Sequence, residues 1–338
     1  MEIIKKKSKP KSSAGKRKVL SSVRTIVESI VIVLLLRAFV VEAHAVPTGS
    51  MKSTILPGEF LLAEKISYRF GDPVPGDIVV FKYPGEPPVD YVKRCIATEG
   101  QHVKINSKKL LVNDSELDFK QAQYVDNSDI VDYDLNISKE KWQYNWENRQ
   151  LYNLVFARML VLESIQYLRA QGISVDEEIF SDYLSDGAHG AMDYLMVDRD
   201  YSKYMNALSD AYQQAFSLSK PDSIPGSMIN RVINIFLKSE STWRARSYKY
   251  IRDNFEEVVV PEGNIFCMGD NRDESHDSRF WGPVPLDNVK GRPVLLYYSV
   301  PVEPPKGTPT ILDNILVIFK SFFRPGDIRF SRFFTFLF

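Results

Sequence analysis

Cysteine is almost missing from this 338-residue chain, with Cys95 and Cys267 as the only two. No disulfide framework can therefore hold the fold together. Both lie in stretches that read as strand, so a single bridge and two buried thiols both stay open, and neither has the neighbours of a catalytic cysteine. Net charge is missing too: Lys+Arg 43 balances Asp+Glu 43, which leaves no overall field to attract nucleic acid. Histidine is scarce, and His44, His102 and His189 are scattered with no pair at zinc-ligand spacing. His276 stands between Ser275 and Asp277, but side chains adjacent in sequence rarely converge into a triad, so it reads as a loop histidine. The acidic loop from Asp270 to Asp277 lacks the ligand spacing and glycine of a calcium hand. No glycine-rich loop cradles phosphate. What remains is chemistry carried by side chains alone, with no cofactor and no metal.

Apolar material is sufficient. Hydrophobic residues make up 44% and aromatics 12%, enough for a real core. The length accommodates two domains, or one with a large insertion. Charge is unevenly placed, because residues 1–18 hold Lys5, Lys6, Lys7, Lys9, Lys11, Lys16, Arg17 and Lys18 against Glu2 alone. Ahead of an apolar segment such a run is a topogenic signal. That segment, Ile26 to Val41 (IVESIVIVLLLRAFVV), is broken by Glu28, Ser29 and Arg37. A spanning helix takes about 20 residues, so this is a marginal span, with Arg37 placed to snorkel. On this reading the basic tail stays cytoplasmic and the chain beyond residue 45 lies outside. A cleavable signal peptide competes with it, since Ala43-His44-Ala45 satisfies the small-x-small rule. Either way the rest of the chain is exported.

Short β-type runs dominate from Glu59 to Val112. Phe60–Ala63, Ile78–Phe81 and Val92–Ala97 are rich in β-branched or aromatic residues and bounded by Gly and Pro. His102–Ile105 and Leu110–Val112 flank a hairpin connection at Asn106–Lys109. The β signal stops near Asn113 and resumes at Val258–Val260, then continues through Ile265–Met268 and Val294–Tyr298. Between them Leu151–Leu168 carries apolar residues at helical spacing, and Ser174-Val175-Asp176-Glu177 is a capping box. Tyr201–Phe216 and Ile229–Leu237 read as further helices. Residues 114–256 are thus a helical insertion in a β-rich domain. From Ile315 to Phe338 aromatics alternate with Lys320, Arg324, Arg329 and Arg332, and Pro325-Gly326 interrupts them, which reads as an interfacial segment.

Three motifs carry the chemistry: Pro47-Thr48-Gly49-Ser50-Met51, Tyr91-Val92-Lys93-Arg94, and Met268 to Ser275 (MGDNRDES). A serine hydroxyl needs a base within hydrogen-bond reach to become a nucleophile. Lysine can be that base only where burial lowers its pKa. Lys93 has apolar neighbours along a strand, and Arg94 should face the other side by the period of two.

In that order the three motifs resemble the bacterial type I signal peptidases, the serine–lysine leader peptidases of peptidase family S26. The resemblance covers residues 25–112 and 257–300 and includes the strand Gly76–Phe81. It implies Ser50 as nucleophile, Met51 as its adjacent methionine and Lys93 as general base. It further implies Thr48, with the Ser50 N–H, as oxyanion hole. Asp270, Asn271 and Arg272 belong to the last motif. There Ser275 falls where a serine hydrogen-bonds the lysine, and Asp277 and Arg279 where an ion pair braces the site. Ser53 departs from the pattern, standing where the family usually has proline.

The fold this implies is α+β: an N-terminal transmembrane helix, a β-rich signal-peptidase-like catalytic core and a large helical insertion. The layout is a basic tail over 1–25, an anchor over 26–46, core over 47–113 and 257–310, insertion over 114–256, and the C-terminal segment over 311–338. The implied activity is cleavage of signal peptides from exported preproteins, outside a cytoplasmic membrane crossed once. Partners would be those signal peptides, membrane lipid and the secretion translocon, with no nucleic acid. Two rivals are weighed. One is an inactive tethered holdase that binds unfolded chains through the insertion, whose Arg158–Leu184 stretch resembles a helical segment of periplasmic parvulin-type chaperones. The other, a self-cleaving cytoplasmic repressor with a serine–lysine site, is disfavoured by the apolar segment.

Overall fold

Leucine, isoleucine and valine crowd residues 26–36, and with no Gly or Pro nearby the backbone winds into a helix over Ser13–Phe39. Its large apolar side chains from Val23 to Phe39 stand about half exposed. Arg24 and Glu28, paired at 2.7 Å one turn apart, and Arg37 interrupt the apolar run. No helix among the described residues is long and apolar enough to cross a membrane. The expected spanning anchor over 26–46 is corrected on that ground, and also because the helix ends early. Val41–Val46 alternates apolar with polar or small residues and becomes a strand.

The computed structural model describes residues 13–131, 133–135, 137–170, 172, 242, 244–301, 311–321 and 323–337. Its strands in chain order begin with β1 (Val41–Val46), β2 (Glu59–Glu64), β3 (Ile78–Lys82), β4 (Asp90–Thr98), β5 (His102–Asn106) and β6 (Lys109–Val112). They continue as β7 (Ser115–Glu116), β8 (Phe255–Val259), β9 (Asn264–Met268), β10 (Val284–Pro285), β11 (Val289–Ser299) and β12 (Thr335–Phe336). Apart from β1, β7, β10 and β12, each falls on or beside a run predicted as strand.

The chain forms two units. The first comprises Met1–Pro47, Pro57–Asp72 and Lys290–Phe338. In it β2 pairs antiparallel with β1 and with β11, and β12 pairs with β11. Phe60, Tyr298 and Val300 form a core joined by Val317, Ile318 and Phe333 from the C-terminal segment. That segment is a helix, Ile311–Ser321, followed by tight turns and β12. Glu59 is fully buried and takes both oxygens to Arg332, at 2.7 and 2.9 Å, with Ser299 Oγ donating at 3.1 Å. Phe319, Phe323, Phe330, Phe334 and Phe336 stay exposed.

The second unit comprises Thr48–Leu56 and Pro73–Val289. One antiparallel sheet runs β3-β4-β9-β10 and another runs β7-β6-β5-β8. The β5–β6 hairpin turns through Ser107 and Lys108, both at positive φ, as a two-residue connection requires. Val103 pairs with Val112 on one side and Val258 on the other, so the two ends of the 114–256 segment border the same strand.

Within that segment the predicted helix at Leu151 is present as Leu151–Ala170, and residues 244–253 are helical. The capping box at Ser174, the helices over Tyr201–Phe216 and Ile229–Leu237, and the second half of the chaperone-like stretch lie outside the described residues. An unexpected helix, Lys139–Glu147, starts at Ser138, whose side chain accepts from the Lys141 N–H. It is mostly polar, but Trp142 and Trp146 stand one turn apart and are both fully buried. Their rings meet Phe255 at 5.6 and 6.4 Å, and Trp146 also meets Phe266 at 5.8 Å. Trp146 Nε1 donates to the Ser278 carbonyl at 2.8 Å. Gly282, at φ 88°, lies so close that a Cβ there would sit 2.4 Å from the Trp146 carbonyl.

The start of the insertion is therefore packed onto strands β8 and β9. Trp146→Ala removes a buried aromatic and its hydrogen bond, and should cost about 3–5 kcal/mol in urea unfolding. A loss below about 1 kcal/mol would mean the helix is only appended to the core.

Candidate active site

Strand β4 is hydrogen-bonded along both edges, to β3 and β9, and its side chains from Lys93 to Ala97 are buried on both faces. Lys93 pairs with Val79 on β3 and is only 4% exposed. Its Nζ is hydrogen-bonded to Ser50 Oγ, and it lies 5.3 Å from the centre of the Tyr91 ring. Burial lowers its pKa from the ordinary 10.5 to about 8, against the opposing pull of Asp277.

Ser50 sits in a tight turn closed by Lys52 N–H to the Gly49 carbonyl at 3.0 Å, and by Thr54 and Ile55 N–H to the Met51 carbonyl. Met51 is buried, and its Sδ accepts from the Asp270 N–H at 3.4 Å. Thr48 is exposed at the start of the turn.

The alternation expected at Arg94 is present, yet Arg94 is as buried as Lys93. It reaches Asp270 with two hydrogen bonds, at 2.8 and 2.7 Å, and the Gly76 carbonyl at 2.6 Å. Asp270 also accepts from Thr54 Oγ1, which links strand β4 to the serine turn. Asn271 donates from its backbone N–H to the Ser50 carbonyl and from Nδ2 to the Gly49 carbonyl, both at 3.1 Å. Asp277 and Arg279 form a second paired bridge at 2.8 and 2.9 Å. Burial pushes the Asp277 carboxyl up, and the Arg279 charge outweighs it, so the group lies below the usual carboxylate range. Arg279 also donates to the Arg272 and Arg252 carbonyls.

Ser275 is fully buried beside Gly269 but makes no hydrogen bond to Lys93, in contrast to the sequence expectation. A Cβ at Gly269 would lie 2.3 Å from both Ser275 Oγ and the Ser50 carbonyl, so only glycine fits there. The Arg272 side chain is buried with Phe119 beneath it at 6.0 Å. His276 stacks on Phe280 at 5.4 Å, and burial lowers its pKa. Cys95 and Cys267 face each other across β4 and β9 as buried free thiols, Cys95 pushed up to about 12 by burial.

Every residue of the three sequence motifs is in this second unit except Pro47, and Ser50, Lys93, Asp270, Asn271, Ser275, Asp277 and Arg279 converge around the serine turn. Thr54 and Arg252 were not anticipated, and Gly76 was anticipated only as part of the matching strand. Toward the site these three contribute a hydroxyl and two backbone carbonyls, which leave no pattern in sequence. Chemically, the arrangement offers a hydroxyl beside an amine that sheds its proton more readily than an ordinary lysine.

Holding that amine in the interior opposes folding wherever it is protonated. The unfolded chain binds the extra proton between pH 8 and 10.5, so the penalty is full below pH 8 and vanishes toward pH 10.5. Lys93→Met should therefore raise the urea midpoint at pH 7. The gain should shrink as pH rises through that window. A variant less stable than the parent at pH 7 would contradict the burial penalty.

The family model described as "Signal peptidase, peptidase S26" matches residues 19–158 and 193–298. Signal peptidase I of Aquifex aeolicus (strain VF5) is 28% identical over 80% of this chain and 80% of its own length. Signal peptidase I of Buchnera aphidicola subsp. Baizongia pistaciae is 26% identical over 79% of this chain and 73% of its own. A solved signal peptidase I from Enterococcus faecalis V583, 14% identical, covers 66% of this chain and 97% of that one at a TM-score of 0.27, too low to bear on the assignment. The family match runs well into the insertion at both ends and breaks only over residues 159–192. With strands β2 to β10 all inside the matched residues, the chain belongs to the signal peptidase family, peptidase S26.

Proposed function

We propose that this protein is a membrane-attached signal peptidase that cuts N-terminal signal peptides from exported preproteins through a Ser50–Lys93 dyad. The observation that carries the reading is the hydrogen bond between the Lys93 amine and the Ser50 hydroxyl, with the amine buried and its pKa near 8. The relatives named signal peptidase I support the substrate class.

Neutral Lys93 takes the Ser50 proton as Oγ attacks the scissile carbonyl carbon. The oxyanion is held by the Ser50 N–H and the Thr48 hydroxyl. Lys93 then gives its proton to the leaving amine as the C–N bond breaks, leaving an acyl ester on Ser50. Water, deprotonated by Lys93, hydrolyses that ester. Asp270–Arg94 and Asp277–Arg279 hold the serine turn and the loop from Gly269 to Ser275 in register. The substrate lies extended along a strand edge, with small residues at the first and third positions before the cut.

Attachment to the bilayer rests on the half-exposed apolar helix Ser13–Phe39 and on the exposed phenylalanines interleaved with Arg324, Arg329 and Arg332 near the C-terminus. Lipid and the secretion translocon are the protein's neighbours on this reading.

Ser50→Ala and Lys93→Ala should each abolish cleavage of a model preprotein while leaving the fold intact, and the double variant should be little worse than either. For the parent enzyme kcat/KM should rise with pH and reach half its plateau near pH 8, because only the neutral amine accepts the proton. A profile flat from about pH 6 to 9 would reject lysine as the base. Separately, the full-length protein should stay with membranes through an alkaline carbonate wash. Release into the supernatant would remove the attachment.

A further inference from the structure

The loop from Asp270 to Asp273 positions Ser50 directly, through the Asn271 hydrogen bonds to the Ser50 and Gly49 carbonyls. That loop is itself held from its other side by residues 119–126, which belong to the insertion. Gln123 N–H donates to the Asp270 carbonyl at 2.7 Å, and Arg272 N–H donates to the Gln123 carbonyl at 2.8 Å, a short parallel bridge. Phe119 lies beside the Arg94 and Arg272 guanidinium groups at 5.4 and 6.0 Å.

Both ends of this stretch are tied down. At one end Ser53 Oγ donates to the Gln121 carbonyl, so the turn that bears Ser50 is joined to it. At the other end Asp126 N–H donates to Asp273 Oδ2 at 2.8 Å, and the Asp126 carboxylate receives Arg252 Nη2 at 2.7 Å. Lys108 Nζ donates to the Asp126 carbonyl at 2.7 Å and lies 3.2 Å from Asp273 Oδ1.

We propose that residues 119–126 are a positioning strap for the serine turn and its supporting loop, with Ser53 as the latch. Proline, which the family pattern has at position 53, fixes φ through its ring. Serine leaves the backbone free there, and its hydroxyl restores the restraint from outside by gripping the Gln121 carbonyl. The Ser53 N–H closes none of the turn's hydrogen bonds, so the position accepts either device. Ser53 and Asp126 touch no reacting atom. They act through the loop, as positioning residues. The inference rests on the Ser50–Lys93 reading and adds to it a route by which the insertion shapes the site.

The test uses the full-length protein in detergent with a short signal-peptide substrate. Ser53→Ala should lower kcat about three- to tenfold, the range for loss of one exposed hydrogen bond, with KM unchanged within about twofold. Ser53→Thr keeps the hydroxyl and should restore kcat. Asp126→Ala should lower kcat by a similar factor. The double variant should fall short of the product of the two, because both release one strap. A kcat equal to the parent in Ser53→Ala, strictly multiplicative losses, or a failure of Ser53→Thr to recover would each overturn the strap. Labelling of Ser50 in the parent by a mechanism-based acylating inhibitor, run alongside, separates this from failure of the dyad itself. Labelling with an unaffected Ser53→Ala rejects the strap alone.

Discussion

A lysine buried to all but 4% of its surface is the constraint from which the rest of the second unit follows. An ammonium in the interior is costly, so the site must exclude solvent while leaving the amine one partner that can use it. Lys93 is buried at the centre of β4, which β3 and β9 pair along both edges, and the serine turn supplies the partner. Charged groups that would undo the effect are absorbed elsewhere. Asp277 pulls the Lys93 pKa upward, but it is paired with Arg279, whose charge pulls the other way, and Asp270 is paired with Arg94. Each buried carboxylate has a guanidinium of its own, with paired hydrogen bonds that satisfy both partners. These pairs keep negative charge bound and directed, so that desolvation dominates at the amine.

The family resemblance of three short motifs singled out Ser50, Lys93, Asp270 and Asp277, which the structure brings together, but gave no sign of the Asp270–Arg94 bridge. The β-strands were legible because β2, β3, β4 and β9 carry dense β-branched or aromatic runs between turn residues. Strand β1 was not, because Val41–Val46 follows an apolar helix without a break and its alternation is easily read as that helix continuing. The helix Lys139–Glu147 was missed because only two tryptophans mark its buried face. Residues 119–126 were missed for a different cause. Most of their contacts pass through backbone groups, which every residue possesses, so Gln121 and Gln123 carry no signal at all.

Reading residues 114–256 as a helical insertion followed from their composition. What that reading lacked was the packing at its two ends. Trp142 and Trp146 fill the space beside Phe255 and Phe266, and Tyr248 and Arg252, from the far end, reach the loop through Ser275 and Arg279. A segment joined to a core strand at each boundary has little freedom to be an appendage. The break in the family match over residues 159–192 fits this arrangement, since it falls between the packed ends.

The Arg94–Asp270 bridge joins positions 176 apart in the chain. Contacts of such separation form late, because the intervening chain must be ordered before they gain anything. While the polypeptide is still emerging, Lys93 has neither β9 beside it nor the loop beyond, so it is hydrated and carries its ordinary charge. A nascent molecule of this kind holds its serine and its lysine long before it can use either. The burial of Lys93 therefore waits on β9 and on the loop that follows it.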